Sequence, residues 1–370
     1  MERFFRADIL GSMLRPSYLK IARSQLDAGA LTAVAFKRVE DRAVDQAVAL
    51  QEAVGLEVVS DGEMRRSHFI APLSDVIEGA RVIPAFKRTW RRRESAQVSE
   101  QTVDLQVQLA VVEKIRRRRS VVAEEFSYLR ARARSTPKVA LPSPLMMALR
   151  WSPQYSRQAY ADPFDLFRDA AEIVREDARE LAALGCEYIQ IDAPELGMLC
   201  DPQRRQSDFG QLGIDPERML SEGMEIINSV ATVPGVTFGL HLCRGNNAGY
   251  YVGEGGYEAI SQQAFRRATN YANFLLEYDD WRSGSFEPLR DLPRDKHVVL
   301  GLISTKREQL ETPEAIERRV AEAAAYFPRE QMGLSTQCGF GSTWEGNPVS
   351  VETQTAKLAL VVEMARRLWP

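Results

Sequence analysis

Histidine and cysteine are scarce in this chain of 370 residues, with three of the first and four of the second. Four cysteines, at positions 186, 200, 243 and 338, cannot staple a chain this long into a disulfide scaffold, and a reducing cytosol would keep them as thiols. No run of about eighteen apolar residues occurs, so no segment is expected to span a bilayer. The opening MERFFRADILGSM lacks a long apolar stretch followed by a small-residue cleavage site. No signal peptide is therefore expected, and a soluble cytoplasmic protein is the default. Neither sign of charge dominates: 48 basic against 51 acidic side chains leave a net charge of −3, which gives the whole molecule no electrostatic grip on nucleic acid or membrane. Internal repeats and low-complexity linkers are missing. The one glycine cluster, Gly253-Glu254-Gly255-Gly256-Tyr257, has neither the spacing nor the strand-to-helix setting of a phosphate loop.

What is present is alternation. Eight short apolar, β-branched-rich runs read as strands: Ala7–Gly11, Leu56–Ser60, Val139–Pro142, Glu187–Asp192, Val236–Cys243, Phe274–Tyr278, Val298–Ser304 and Gly333–Thr336. Longer helical patterns lie between most of them. Pro163–Leu184 repeats apolar residues every three or four positions and stops at Gly185. Thr312–Tyr326 begins with Thr312-Pro313-Glu314, an N-cap followed by a first-turn proline. Strands alternating with helices imply a parallel sheet, and eight strands suffice to close a (β/α)₈ TIM barrel. A doubly wound open sheet is the rival arrangement.

The chemistry at the strand ends favours closure. Ser12 follows the first run, Asp61-Gly62-Glu63 the second, and Asp192 ends the fourth. His241 and Cys243 end the fifth, Glu277 the sixth, and Cys338 follows the eighth. A barrel opens all its strand C-termini on one face, where these scattered residues would converge; an open sheet would not gather all of them. The expectation is a single catalytic barrel over residues 1–370 with an insertion after strand two, at about 65–135. That stretch carries Lys87–Arg93 and Arg116–Arg119 around an apolar-striped segment, Val103–Ile115, readable as a hairpin or a helix. Its arginines read as solvated or interface residues, making a homo-oligomer plausible, or as an attractor for an acidic substrate tail. No recognised nucleic-acid module accompanies them.

Zinc favours imidazole, thiolate and carboxylate ligands. His241-Leu242-Cys243 puts two ligating side chains on one strand face, since strand side chains alternate with a period of two. A buried His and Cys at that spacing also arise by chance. Cys338 leaves a strand into a glycine turn, and Glu277 is a charge at the end of an apolar strand, where burial is costly unless the group is paired or metal-bound. Together these four make a mononuclear set of one nitrogen, one oxygen and two sulfurs, suited to holding a thiol as its nucleophilic thiolate. A closed structural zinc site is the alternative, usually built from short-range pairs.

These residues, with Arg6-Ala7-Asp8, Gly11-Ser12, Leu14-Arg15-Pro16, Ser60–Arg66, Ile189–Pro194, His241–Asn246 and Gln337-Cys338-Gly339, resemble the cobalamin-independent methionine synthase family. The likeness is to its C-terminal catalytic barrel and to stand-alone single-barrel homologues; an N-terminal barrel is not expected here. It implies zinc on His241, Cys243, Glu277 and Cys338, with Ser12, Glu63 and Asp192 holding the amino-acid part of homocysteine. It also implies methyl transfer to the thiol, forming methionine, with 5-methyltetrahydrofolate as a candidate donor. Arg244 and Asn246, next to the ligand pair, are candidates for an anionic substrate group or for loop caps. His68, after the Asp61–Glu63 turn, is a substrate contact or a satisfied polar residue. Asp61 and Arg65 read as organisers of Glu63. Two positions depart from the family pattern. Ala193 replaces an acidic residue, with Glu195 nearby, and the strand-seven loop reads Leu302-Ile303-Ser304-Thr305-Lys306 where the family has its catalytic histidine. Lys306, Asp279 or a water is left to protonate a departing donor, or the donor is not a folate. Two further readings stay open: a thiol alkyltransferase or C–S lyase of the epoxyalkane–coenzyme M transferase type, and a non-catalytic zinc- or thiol-binding barrel.

Overall fold

A computed structural model describes residues 3–75, 77–83, 87–94, 97–104 and 108–370; the side chains of 87–90, 93, 94, 97–104 and 108 lie outside the description. Seven strands form one parallel sheet in the order β1 (Val58–Val59), β6 (Thr136–Pro142), β7 (Tyr188–Asp192), β8 (Thr237–Leu242), β9 (Asn273–Glu277), β10 (His297–Ile303) and β11 (Met332–Thr336). Six of these match the expected runs within a few residues. The second is shorter than expected, with only Val58 and Val59 in the ladder with β6.

The eighth place is filled without a ladder. Ala7 makes one parallel bridge to Leu334 of β11, supported by Asp8 N–H to Leu334 carbonyl and Leu334 N–H to Arg6 carbonyl. On the other side the same segment is stitched to the end of β1: Ser60 Oγ donates to the Gly11 carbonyl at 2.6 Å, and Met13 N–H to the Gly62 carbonyl at 3.0 Å. Inside the ring, Asp8 pairs with Lys138 of β6 at 2.7 Å and accepts from the Tyr188 hydroxyl at 2.7 Å; all three side chains are buried. Side-chain bonds thus supply the closure where sheet hydrogen bonds run out, and the fold is the expected TIM barrel.

The helices end where their sequences say. Asp162 caps Pro163–Ala183 by accepting from Phe164 N–H, Thr312 caps Pro313–Ala324 by accepting from Ala315 N–H, and Ser350 caps Val351–Leu368 by accepting from Thr353 N–H. Their apolar faces bury Phe164, Phe167, Val174, Leu181, Ile316, Val320, Leu358 and Val361 against the sheet's outer surface and neighbouring helices.

Between β1 and β6 the chain forms two antiparallel pairs, β2 (Ile77–Ile83) with β5 (Gln108–Arg117) and β3 (Lys87–Glu94) with β4 (Gln97–Asp104). The apolar-striped segment is therefore strand, not helix, over Gln108–Arg117; residues 105–107 lie outside the described residues. Arg117 fastens β5 to the helix Pro163–Ala183 through Asp177 at 2.6 Å and Glu180 at 2.9 Å, which is the structural use of its basic run. Arg91 of β3 exchanges backbone hydrogen bonds with Tyr251 and pairs with Asp201 at 3.1 Å, tying the hairpin to the loops after β7 and β8.

Candidate active site

Register decides which side chains meet. Asp192 of β7 lies opposite Pro142 of β6 and His241 of β8, and Glu277 of β9 lies opposite Gly301 of β10. The C-terminal ends of four strands therefore share one rim, and Cys243 and Cys338 follow directly after β8 and β11. A cavity of about 280 Å³ opens there, lined at its polar part by Ser12, Glu63, Asp192, His241, Cys243 and Cys338.

Among the described residues, ligand atoms of His241, Cys243 and Cys338 all lie within 4.8 Å of one another, and all three side chains are buried. The two sulfurs are 3.5 Å apart. His241 Nδ1 stands 3.0 Å from the Leu275 carbonyl, which favours its being the protonated nitrogen. In the neutral ring that leaves Nε2 as the lone-pair atom, and Nε2 is buried with no hydrogen-bond partner. The electrostatics are those of a crowded donor set. The hydrogen bond from Cys243, and then the His241 imidazole, hold the Cys338 thiol well below the ordinary range despite burial. Its hydrogen bond to Cys338, together with burial, holds Cys243 well above it. Burial alone would depress His241, but the Cys338 sulfur and the carboxylates of Asp192 and Glu277 lift it to about 9.

Glu277 stands outside this close triad and does not line the cavity. Its Oε1 accepts the Arg244 N–H at 3.2 Å, while Oε2 is buried without a partner. Burial raises its pKa, and the Lys306 and Arg282 charges nearby act the other way. An imidazole nitrogen and a carboxylate oxygen, both buried and unsatisfied beside two adjacent sulfurs, fit a thiophilic divalent cation.

The cavity's two acids are unusual. Glu63 sits at φ 54° in the left-handed region, which is costly for a residue with a side chain and is tolerated where the surroundings impose it. Asp61 Oδ1 accepts its N–H at 2.9 Å and Arg15 binds its carbonyl at 3.0 Å, so Asp61 does organise it. Arg65 does not: it pairs with Asp41 at 2.6 Å instead. Burial lifts Glu63 to about 8, with Arg66 opposing and Asp192 adding to the rise. Burial likewise lifts Asp192 to about 6, although Gln190 donates to it at 2.6 Å. Ser12 is buried against Gly339, where an added Cβ would lie 1.9 Å from Ser12 Oγ; only glycine allows the loops after Gly11 and β11 to pack so closely.

Arg244 is not a cavity residue. Its guanidinium donates to the Gly255 and Glu277 carbonyls and stacks 3.9 Å from the Tyr257 ring centre, fully buried. The sequence placed it beside the ligand pair, but its backbone turn points it back into the barrel wall. Asn246 lines the cavity, yet its amide is spent on the Gly339 carbonyl at 2.7 Å and on Ser342 and Asn347, as a loop brace. His68 lines the cavity as well. Lys306 and Asp279, considered as proton donors, do not. Ser342, 3.6 Å from Cys338 Sγ, and Arg150, in the cavity wall, carried no spacing signal that sequence reasoning could have used.

The chain is 34% identical to the uncharacterized Bacillus subtilis protein YxjH, over 99% of this chain and 95% of that one. It is 22% identical to a methionine synthase of Saccharolobus solfataricus, covering 90% of this chain and 86% of the relative. A solved Listeria monocytogenes structure, named for a vitamin-B12-independent methionine synthase, superimposes with a TM-score of 0.75 at 26% identity, covering 100% of this chain and 99% of the other. The chain belongs to the cobalamin-independent methionine synthase family. No protein-family model matches it. Within this methionine synthase family the present member has a serine–threonine–lysine sequence, Ser304-Thr305-Lys306, after β10, and Thr305 there is buried in hydrogen bonds to Gln337, Gly339 and Asn347. Among the described residues no helix is long and apolar enough to cross a membrane.

Proposed function

We propose that this protein is a zinc-dependent homocysteine S-methyltransferase that forms methionine. The observation that carries the reading is one cavity holding both a His241/Cys243/Cys338 triad and the buried acids Glu63 and Asp192. A zinc ion held by His241, Cys243 and Cys338, with Glu277 as an exchangeable fourth ligand, would supply the acidity that makes a bound thiol a thiolate at neutral pH.

The chain's own residues account for the rest of the substrate. Two buried carboxyls, both lifted by burial and with Asp192 adding to the rise of Glu63, favour a cation between them, and an α-ammonium group would bring both to their charged forms. Ser12 Oγ, held at the same wall, can donate to the α-carboxylate. An amino acid so held projects its side-chain sulfur toward the triad. Attack by that sulfur forms the new S–C bond as the donor's bond to the methyl carbon breaks, and the electron pair leaves with the donor. The mainly apolar lining of the cavity excludes water from the thiolate.

Zinc X-ray absorption with and without homocysteine tests the first part: one added sulfur ligand is expected. Turnover of homocysteine with methyl-folate, methylcobalamin and S-adenosylmethionine tests the second and identifies the donor. No change in the zinc environment with homocysteine would remove homocysteine as the substrate.

A further inference from the structure

The cavity has a second character beside its polar floor. Ile70, Met146, Leu149, Met198 and Val252 line it with apolar surface. Set into the same lining is Arg150, the last residue of the 3₁₀ turn Pro144–Arg150 that follows β6. This turn is fixed by Ser143, whose hydroxyl accepts the Leu145 N–H at 3.2 Å. Other arginines around the barrel mouth are committed: Arg15 to the carbonyls of Glu63, Arg66, Gly341 and Thr343, Arg66 to Glu125, and Arg282 to Asp279 and Asp280. Arg150 has no ion pair or hydrogen bond among the described residues, and its Nε is buried. The carboxylate that acts on it electrostatically, Asp75, makes no ion pair with it and instead accepts from the Ser67 and Ser74 hydroxyls.

His68 is the polar neighbour. It lines the same cavity, its Nδ1 is buried without a partner, and its Nε2 stands 3.7 Å from Asp75. Burial and the Arg150 charge both push its pKa down, although Asp75 acts the other way, so it is a neutral hydrogen-bonding group rather than a second cation. A guanidinium keeps its charge under any such burial. Holding it in a largely apolar wall with no direct ion pair, only Asp75 acting from beyond ion-pair distance, is costly, and an incoming anion relieves the cost.

We propose that Arg150, assisted by His68, is an anion subsite for the methyl donor, which therefore combines an apolar body with a carboxylate or sulfonate group. The body lies along Ile70, Met146, Leu149, Met198 and Val252, and the anion accepts from the guanidinium. This rests on the reading above, in which the thiol substrate occupies Ser12, Glu63 and Asp192.

Titration calorimetry of the full-length, zinc-loaded protein with benzoate, benzenesulfonate and benzamide tests the subsite. At least one of the two anions is expected to bind tenfold or more tightly than benzamide, and whichever does so identifies the preferred group. Arg150→Ala should abolish that preference. Arg150→Lys should recover part of it, since an ammonium keeps the charge but loses the planar fork. A wild-type protein that does not distinguish anion from amide, or a preference that survives Arg150→Ala, overturns the proposal. Homocysteine's effect on the zinc absorption spectrum should be unchanged in Arg150→Ala. Loss of that effect in wild type and variant alike would remove the thiol reading, while the anion preference would still be judged by its own titration.

Discussion

Glu195 measures how dry the barrel mouth is. It lies on the first turn after β7, with its carboxyl wholly buried, the Ser143 hydroxyl 2.5 Å from Oε1 and no partner on Oε2. Burial lifts its pKa from 4.5 to about 8. An unfolded chain would release that proton near the ordinary value, so the folded state binds more protons across the window between the two. The stabilising contribution is fully present below about pH 4.5 and is lost as pH rises through about 8. Within the window the loss is at most about 1.4 kcal/mol per pH unit, or about 3 kcal/mol by neutral pH. Glu195→Gln keeps the shape and is neutral at every pH. Its amide N–H₂ has no acceptor at the Oε2 position, which costs about 1–3 kcal/mol independently of pH. The variant should therefore be the less stable protein at about pH 5, by up to about 2 kcal/mol, and the more stable one at about pH 9, by about 2–4 kcal/mol. Urea unfolding of both proteins across that range reads the difference directly. Glu63 titrates in both proteins, so its effect cancels in the comparison, while Asp192, whose charge adds to the rise of Glu195, contributes a smaller difference. Parallel stability curves would mean that the Glu195 carboxyl is ionised or hydrated in the folded state, and the picture of a dry polar floor would be refuted.

Three other outcomes follow from the geometry. Cys338→Ser should weaken zinc binding by tenfold or more in competition with a chromophoric chelator and abolish methyl transfer; full occupancy with unchanged turnover would remove Cys338 from the ligand set. Gly339→Ala drives a methyl group to 1.9 Å from Ser12 Oγ and 3.0 Å from the Ser12 carbonyl, so it should cost about 1–3 kcal/mol in thermal or urea unfolding and raise KM for the thiol amino acid more than it lowers kcat. Lys138→Met strands the buried Asp8 carboxylate and should cost about 3–5 kcal/mol, much of it recovered in the Lys138→Met/Asp8→Asn double variant; additive losses would mean that the pair does not hold the first segment in the barrel.

Much of this protein was legible from local patterns. Helix ends were written in Asp162-Pro163, Thr312-Pro313 and the glycine after Leu184, because capping is a short-range matter of side-chain oxygens and free N–H groups. Strand positions followed from short apolar runs. The meeting of His241 with Cys338, 97 positions apart, could be anticipated because barrel strands present their C-terminal ends on one face.

Tertiary structure decided what depends on direction and competition. Ala7–Gly11 reads as a strand, but it is held by one bridge to β11, by Ser60 and by the Asp8–Lys138 pair, since closing a ring needs a fit on both edges that a run of apolar residues does not specify. Arg244 and Arg150 are the same residue type, and sequence position favoured the one next to the ligand pair. In the fold Arg244 spends its donors on carbonyls of the barrel wall, while Arg150 is left unpaired in the cavity lining. Sequence proximity fixes where a Cα lies, but only packing settles which hydrogen-bond partners are already taken. The availability of a charge for a ligand is what remains after that competition.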